Sequence, residues 1–225
     1  MKNSPSCPEL VVMLTYNDFT SEDAEKIFEE CKNTKAKYWG FKEKPLSKER
    51  MKKLYSRMKE SGKTTILEVV AYSSEEGLSG AKIAAECGCD ILMGTKFHQE
   101  IADYCRANNI KYMPFVGTIE GRPSVLKGSV SDIVAEAKNV IKNGAYGIDL
   151  LGYRYLENAS ELIKNIIDET DAPVCIAGSI DSYDKLDEMK EYQPDTFTIG
   201  SAFFENKFGR DFASQINTVC DYINK

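Results

Sequence analysis

VVMLTY (residues 11–16), TILEVVAY (65–72), DILMGT (90–95) and PVCIAG (173–178) are near-continuous apolar runs rich in β-branched side chains. A strand reads this way when helices cover both of its faces, so the four runs favour a parallel sheet. Working outward from them, short strand-like runs at 10–16, 36–41, 65–72, 90–95, 111–117, 147–152, 173–177 and 196–200 alternate with longer amphipathic stretches. Eight such repeats predict an α/β fold of the (β/α)8 TIM-barrel type, a parallel eight-stranded barrel with outer helices, as one domain over 1–225. An open doubly wound sheet alternates similarly, but it usually has fewer units and a glycine-rich phosphate loop after its first strand. Here the first strand ends in Leu14-Thr15-Tyr16-Asn17-Asp18, without glycine.

The segments between the strands carry helix punctuation. Thr20 and Ser21, Ser47, Ser131 and Asn158 each precede spaced apolar positions, as N-capping residues do. Gly62, Gly88 and Gly144 fall between a helical pattern and the next strand, where a left-handed residue ends a helix. In the terminal stretch, 209–224, Phe212, Ile216, Val219, Cys220 and Ile223 form a packing stripe that closes the barrel.

With 225 residues, 42% hydrophobic and 28% charged, the chain has the balance of an ordinary soluble enzyme. Its net charge of -6 argues against a broad nucleic-acid surface. No apolar run approaches the ~18–20 residues that span a bilayer, and MKNSPSCPEL lacks the apolar stretch of a signal peptide, so a cytoplasmic protein without membrane partner is expected. The seven cysteines are scattered without a CxxC pair, which suggests packing rather than a disulfide framework or a zinc site.

The most specific signal lies at the carboxyl end, where strands seven and eight break into IAGSI (176–180) and TIGSAFF (198–204). Glycine lets backbone N–H groups approach an anion, serine adds a hydroxyl, and a helix starting just after adds its positive end, which together make a phosphate cradle. Read blandly, the same glycines are tight-turn residues. These paired motifs, last in an eightfold chain, resemble the ribulose-phosphate-binding barrel superfamily. The resemblance implies phosphate contacts at Gly178, Ser179, Gly200 and Ser201, and an activity among phosphosugar isomerases, epimerases, aldolase-like lyases and synthases. It carries over no catalytic residues. Epimerases of the group often show an acidic residue in the seventh strand's closing motif, where this chain has Ala177, which weighs against that activity.

Polar residues in or just beyond apolar barrel strands are the candidates for chemistry, because burying them is costly unless they are paired or used. They are Lys42, Glu68, Lys96, Thr118, Asp149 and Arg154. Lys96, after Met93-Gly94-Thr95, is the first catalytic candidate, as a Schiff-base lysine or a carboxylate-binding cation. Glu68 and Asp149 suit general acid and base, with a bracing lysine–carboxylate network as the alternative. Lys42 belongs to a segment (38–43) whose aromatic residues form either a pocket wall or core, Trp39 included. Arg154 is a planar fork suited to phosphate or carboxylate. Thr118 joins the substrate contacts at the start of a loop (118–129) carrying Arg122 and Lys127, which is either a lid or a solvated loop. His98, the single histidine, reads as a helix-cap position, and no metal motif appears.

The expected function is an enzyme acting on a small phosphorylated sugar or keto acid, of aldolase/lyase or isomerase type, without cofactor or metal. Two alternatives stay open: a non-catalytic regulatory barrel that binds a phosphometabolite, and a nicotinamide or flavin oxidoreductase on the same fold. A homo-oligomer is left open as well, since no interface separates from helix surface.

Overall fold

Glu9–Met13 (β1) pairs with Tyr38–Lys42 (β2) on one side and with Thr196–Ile199 (β8) on the other, and the second pairing closes a ring. Thr64–Ala71 (β3), Ile91–Lys96 (β4), Lys111–Phe115 (β5), Ile148–Leu150 (β6) and Val174–Ile176 (β7) complete it, every neighbour parallel. This computed structural model describes residues 7–121 and 123–225. The eight apolar runs are thus the eight strands of a closed (β/α)8 barrel.

The helices are Ala24–Cys31 (α1), Lys48–Glu60 (α2), Ser74–Cys87 (α3), Gln99–Ala107 (α4), Val130–Lys142 (α5), Ala159–Glu169 (α6), Tyr183–Tyr192 (α7), the short Ser201–Phe204 (α8) and Phe212–Ile223 (α9). Ser47 and Asn158 cap α2 and α6 by accepting from the Arg50 and Glu161 amides, as their spacing predicts. Helix α5 is capped by Ser129 and not by Ser131: Gly128, at φ +117°, turns the chain earlier, and the Ser129 hydroxyl meets the Asp132 amide. Thr20 does not cap α1, because its hydroxyl is bonded to the Lys42 backbone instead. Gly88 ends α3 in the left-handed region at φ +75°. None of the helices among the described residues is long and apolar enough to cross a membrane.

Two antiparallel hairpins follow strands at the carboxyl-terminal mouth. Thr15–Tyr16 pairs with Phe19–Thr20 after β1, and Thr118–Glu120 pairs with Val125–Lys127 after β5. The second stands where the sequence suggests an irregular loop.

Strand alternation sorts the side chains. Val11, Met13, Ile66, Ile91, Met93, Met113 and Cys175 point inward and fill the barrel as a small core of their own. Their neighbours, among them Trp39, Phe41, Leu67, Leu92 and Phe197, point outward and join the larger core under the helices. Trp39 meets Phe28 of α1 edge-on at 5.1 Å, and Phe41 stacks on Tyr55 of α2 at 4.5 Å, so these aromatics belong to the core and not to a pocket wall. Gly40, between them, faces inward: a β-carbon there would come 2.9 Å from Met13 Sδ and 3.0 Å from Ile66 Cβ.

Since the barrel interior is filled by those two side chains, Gly40→Ala is expected to cost about 1–3 kcal/mol of unfolding free energy through overpacking. Urea denaturation of the variant checks this, and wild-type stability would mean that Met13 yields freely.

Candidate active site

The inward positions change character at the mouth. On β2 the inward series Tyr38, Gly40, Lys42 ends in an ammonium, and on β3 Ile66 is followed two residues on by Glu68. Parallel pairing sets Lys42 and Glu68 side by side in register, and Asp149 takes the inward place on the three-residue strand β6. All three line a cavity of about 210 Å³ floored by Met13, Met93 and Phe115.

The Lys42 ammonium forms an ion pair with Asp18 and lies 3.7 Å from Glu68. Asp18 arrives from the turn of the first hairpin, where Asn17 and Asp18 adopt φ +48° and +70°. Such left-handed pairs close two-residue hairpins whose twist matches the strands. The hairpin is fastened by Thr20, whose hydroxyl donates to the Lys42 carbonyl at 2.7 Å and accepts from the Lys42 amide at 2.9 Å. Burial opposes the Lys42 charge, but Glu68 and then Asp18 outweigh it and hold the ammonium above its usual pKa. Gly94 of β4 leaves the room for Glu68, since a β-carbon there would lie 2.9 Å from Glu68 Cγ.

Asp149 is 1% exposed, and neither of its carboxyl oxygens has a hydrogen-bond partner. Burial, then the negative charge of Glu68, push its carboxyl well above the usual carboxylate range, with Lys42 pulling the other way.

Opposite this group, the chain leaving β7 and β8 supplies Gly178, Ser179, Gly200 and Ser201 to the cavity wall, with Arg154 beside them. Gly178 (φ +92°) is crossed by the Arg154 side chain, whose Cγ would lie 2.9 Å from an added β-carbon. Ser179 also sits in the left-handed region, at φ +55°, a costly conformation for a residue other than glycine. Lys185 of α7 secures that turn by donating to the Ser179 carbonyl at 2.5 Å while pairing with Asp181 at 2.8 Å. Gly200 packs against Thr15, whose Oγ1 would be 2.8 Å from an added β-carbon, and Ser201 opens α8.

Eight of the ten residues singled out from the sequence therefore line one cavity: Lys42, Glu68, Asp149, Arg154, Gly178, Ser179, Gly200 and Ser201. Lys96 and Thr118 do not. The register between β4 and β5 shifts between Met93 and Lys96, with Gly94 at φ +90°. Thr95 is thereby buried against Tyr112, bonded to its hydroxyl at 2.5 Å, and Met93 is the β4 side chain that reaches the cavity. Thr118 lies three residues beyond the end of β5 at Phe115, exposed on the second hairpin opposite Lys127. From that hairpin Ser124 takes the place on the wall, its carbonyl 3.4 Å from Arg154 Nη1. Lys127 pairs with Glu120 at 2.6 Å away from the cavity, and Arg122 lies outside the described residues. His98 precedes α4 without a side-chain capping bond.

Asp18, Thr15, Ser124, Asp181 and Glu205 also line the cavity and were missed from sequence. Only Asp18 had a usable signal, the Asn17-Asp18 pair between short β-prone residues. Among the described residues, no group of three or more His, Cys, Asp or Glu side chains is arranged to hold a metal ion.

No protein-family model matches the sequence, and no curated protein matches it significantly. Solved structures do share its fold. An orotidine 5'-phosphate decarboxylase from Pyrococcus horikoshii superposes with a TM-score of 0.71 at 15% identity, over 96% of this chain and 99% of that one. A native KDPGal aldolase structure gives 0.70 at 12%, over 100% and 98%. An N-acetylmannosamine-6-phosphate 2-epimerase from Clostridium perfringens gives 0.65 at 12%, over 86% of each chain. These neighbours are ribulose-phosphate-binding barrels, the group that the two closing motifs resemble, and at such identities the likeness is one of fold.

The buried carboxyl has a consequence for stability. Because the folded pKa of Asp149 lies above that of the unfolded chain, its contribution is full below the unfolded value of about 4 and is lost as pH rises through the folded one. Asp149→Asn, neutral throughout, is expected to flatten this decline, which denaturant melts at a series of pH values measure. Parallel curves for the two proteins would mean that Asp149 is ionised in the folded state.

Proposed function

We propose that this chain is an enzyme that moves a proton beside the carbonyl of a small phosphorylated sugar or keto acid, an isomerase- or lyase-type enolisation. The observation that carries the reading is the meeting of Glu68, Lys42 and the unpartnered Asp149 at one end of a cavity whose other end is glycine, serine and arginine.

In this reading Glu68 takes the proton from the carbon next to the carbonyl, and the C–H electron pair becomes a carbon–carbon double bond. The carbonyl oxygen gains the displaced electrons, facing the Lys42 ammonium, and Asp149 supplies it with a proton. Glu68 then returns its proton to the former carbonyl carbon while the hydroxyl on the neighbouring carbon gives its proton to the Asp149 carboxylate, which forms the new carbonyl and restores both groups. In the lyase variant, Glu68 takes the proton of the hydroxyl on the carbon that leaves, that carbon becomes a carbonyl, and the electron pair of the broken carbon–carbon bond enters the same enolate. Lys42 serves as a charge and not as a Schiff base, because two carboxylates keep it protonated and a protonated amine is no nucleophile.

The phosphate lies against Gly178, Ser179, Gly200 and Ser201, where missing β-carbons let backbone N–H groups approach, with Arg154 as counter-charge. The strained Ser179 fits a turn retained for what it holds. No cofactor enters the scheme. A barrel that bound its ligand without chemistry would gain nothing from a buried, unpartnered carboxyl, whose burial costs on the order of several kcal/mol, whereas an acid that must donate gains everything from it.

Proton NMR in D2O tests the reading across phosphorylated ketoses, aldoses and keto acids, since enolisation replaces the proton beside the carbonyl with deuterium. At least one compound is expected to lose that signal. Glu68→Gln should slow the loss roughly 10²-fold or more with binding retained, while Arg154→Ala should act chiefly on KM. Absence of exchange across the panel by folded protein would sink the proposal.

A further inference from the structure

We propose that the phosphate is the ligand's only ionised group, and that the part lying against Lys42, Glu68 and Asp149 is an uncharged chain bearing hydroxyls and a carbonyl. The ligand is then a phosphorylated sugar and not a phosphorylated keto acid. This deepens the reading above and rests on it.

The inference comes from how the charges at the inner end are already committed. Among the described residues, three carboxyl groups, Asp18, Glu68 and Asp149, surround a single ammonium there, and Lys42 is shared by two of them. The side chains of Lys42, Asp18 and Glu68 are 11%, 14% and 16% exposed, so water screens them little. A ligand carboxylate brought to this end would face two carboxylates and a cation that both already hold. Hydroxyl groups meet the opposite situation. The oxygens of Glu68 and Asp18 are acceptors that a row of hydroxyl donors satisfies, and the Asp149 carboxyl, unpartnered and buried, offers a proton to one carbonyl oxygen.

At the other end Arg154 crosses Gly178, and its positive charge reaches far enough to oppose that of Lys42. Asp181 and Glu205 come from the same segments as the cradle, and Asp181 is paired with Lys185 at 2.8 Å. The cavity thus distinguishes its inner end, where two carboxylates hold the ammonium, from the Gly178 end, where Arg154 answers an anion. Discrimination of this kind works by repulsion of the wrong ligand as much as by attraction of the right one.

Calorimetric titration of the full chain tests this with three kinds of probe: inorganic phosphate, pentose and hexose phosphates, and a six-carbon 2-keto acid carrying a terminal phosphate. At least one sugar phosphate should bind roughly tenfold or more tighter than inorganic phosphate, and the keto acid no tighter than inorganic phosphate. Glu68→Gln, with Asp18→Asn as a second variant should the first misfold, should raise keto-acid affinity by about tenfold and leave inorganic phosphate unchanged. A wild-type chain that binds the keto acid as tightly as any sugar phosphate overturns this inference and leaves the phosphate cradle standing. Keto-acid affinity unmoved by both variants overturns the charge exclusion. If no phosphorylated probe binds, the underlying functional reading falls with it.

Discussion

Lys42 is a buried cation that two carboxylates must share, and much of the mouth of the barrel is arranged around that demand. A charge taken from water is tolerable only with close partners. Strand register supplies the first, since parallel pairing of β2 and β3 leaves Lys42 and Glu68 no choice but to be neighbours. The hairpin after β1 supplies the second, and the Thr20 hydroxyl ties that hairpin to the same Lys42 backbone whose side chain Asp18 neutralises. Position and charge are fixed by one small unit, so the ammonium can neither swing out to solvent nor lose its proton easily.

That commitment explains the state of Asp149. Burial and the negative charge of Glu68 outweigh what Lys42, already held by Asp18 and Glu68, offers a third carboxyl deeper in the barrel, and the strand partners Phe115 and Cys175 cannot donate to it strongly. The carboxyl is thereby pushed toward its protonated form. Burial likewise pushes the Cys175 thiol up, so the wall beneath the cavity acts as an inert apolar floor and not as a nucleophile. Asp149, Glu68 and Lys42 thus differ in environment because of where the barrel puts them, which is what the proposed division into acid, base and cation draws on.

The strands were legible because burial on both faces writes itself into composition: PVCIAG and TILEVVAY leave little room for another reading. The place of Gly178 and Gly200 on the cavity wall was legible for a related reason, since they follow strands where side chains would be obstructed. Lys42, Glu68 and Asp149 could be found because a charge inside an apolar run needs a reason. Lys96 met the same criterion and failed, because the count by two from Ile91 and Met93 leads to Thr95 and not to Lys96, and the register shift after Gly94 then turns Thr95 toward Tyr112 without bringing Lys96 to the cavity. Thr118 failed because β5 ends at Phe115 and the chain has left the barrel before reaching it. Asp181 and Glu205 were invisible for the opposite reason: acidic residues in polar loops look alike until the fold shows which of them face the cavity.

The hairpin also links the two ends of the site. Its Thr15 abuts Gly200 beneath the cradle, its Tyr16 stacks on Phe204 of α8 at 5.3 Å, and its Asp18 holds Lys42. Phe204 in turn packs on Phe212 of α9, and the buried Gln215 of α9 donates to the Phe203 carbonyl at 2.9 Å, so α8 is braced from behind. In the proposed reaction the span from phosphate to reacting carbon is therefore set by one short, doubly anchored element and not by the flexibility of two independent loops. Enolisation needs that fixity, because a carbonyl displaced by about 1 Å from its acid and its cation loses orders of magnitude in rate. A phosphate gripped at one end makes a useful handle only if the distance to the other end does not change. In this barrel the residues that hold that distance, Thr15, Tyr16 and Thr20, need make no chemical contribution of their own.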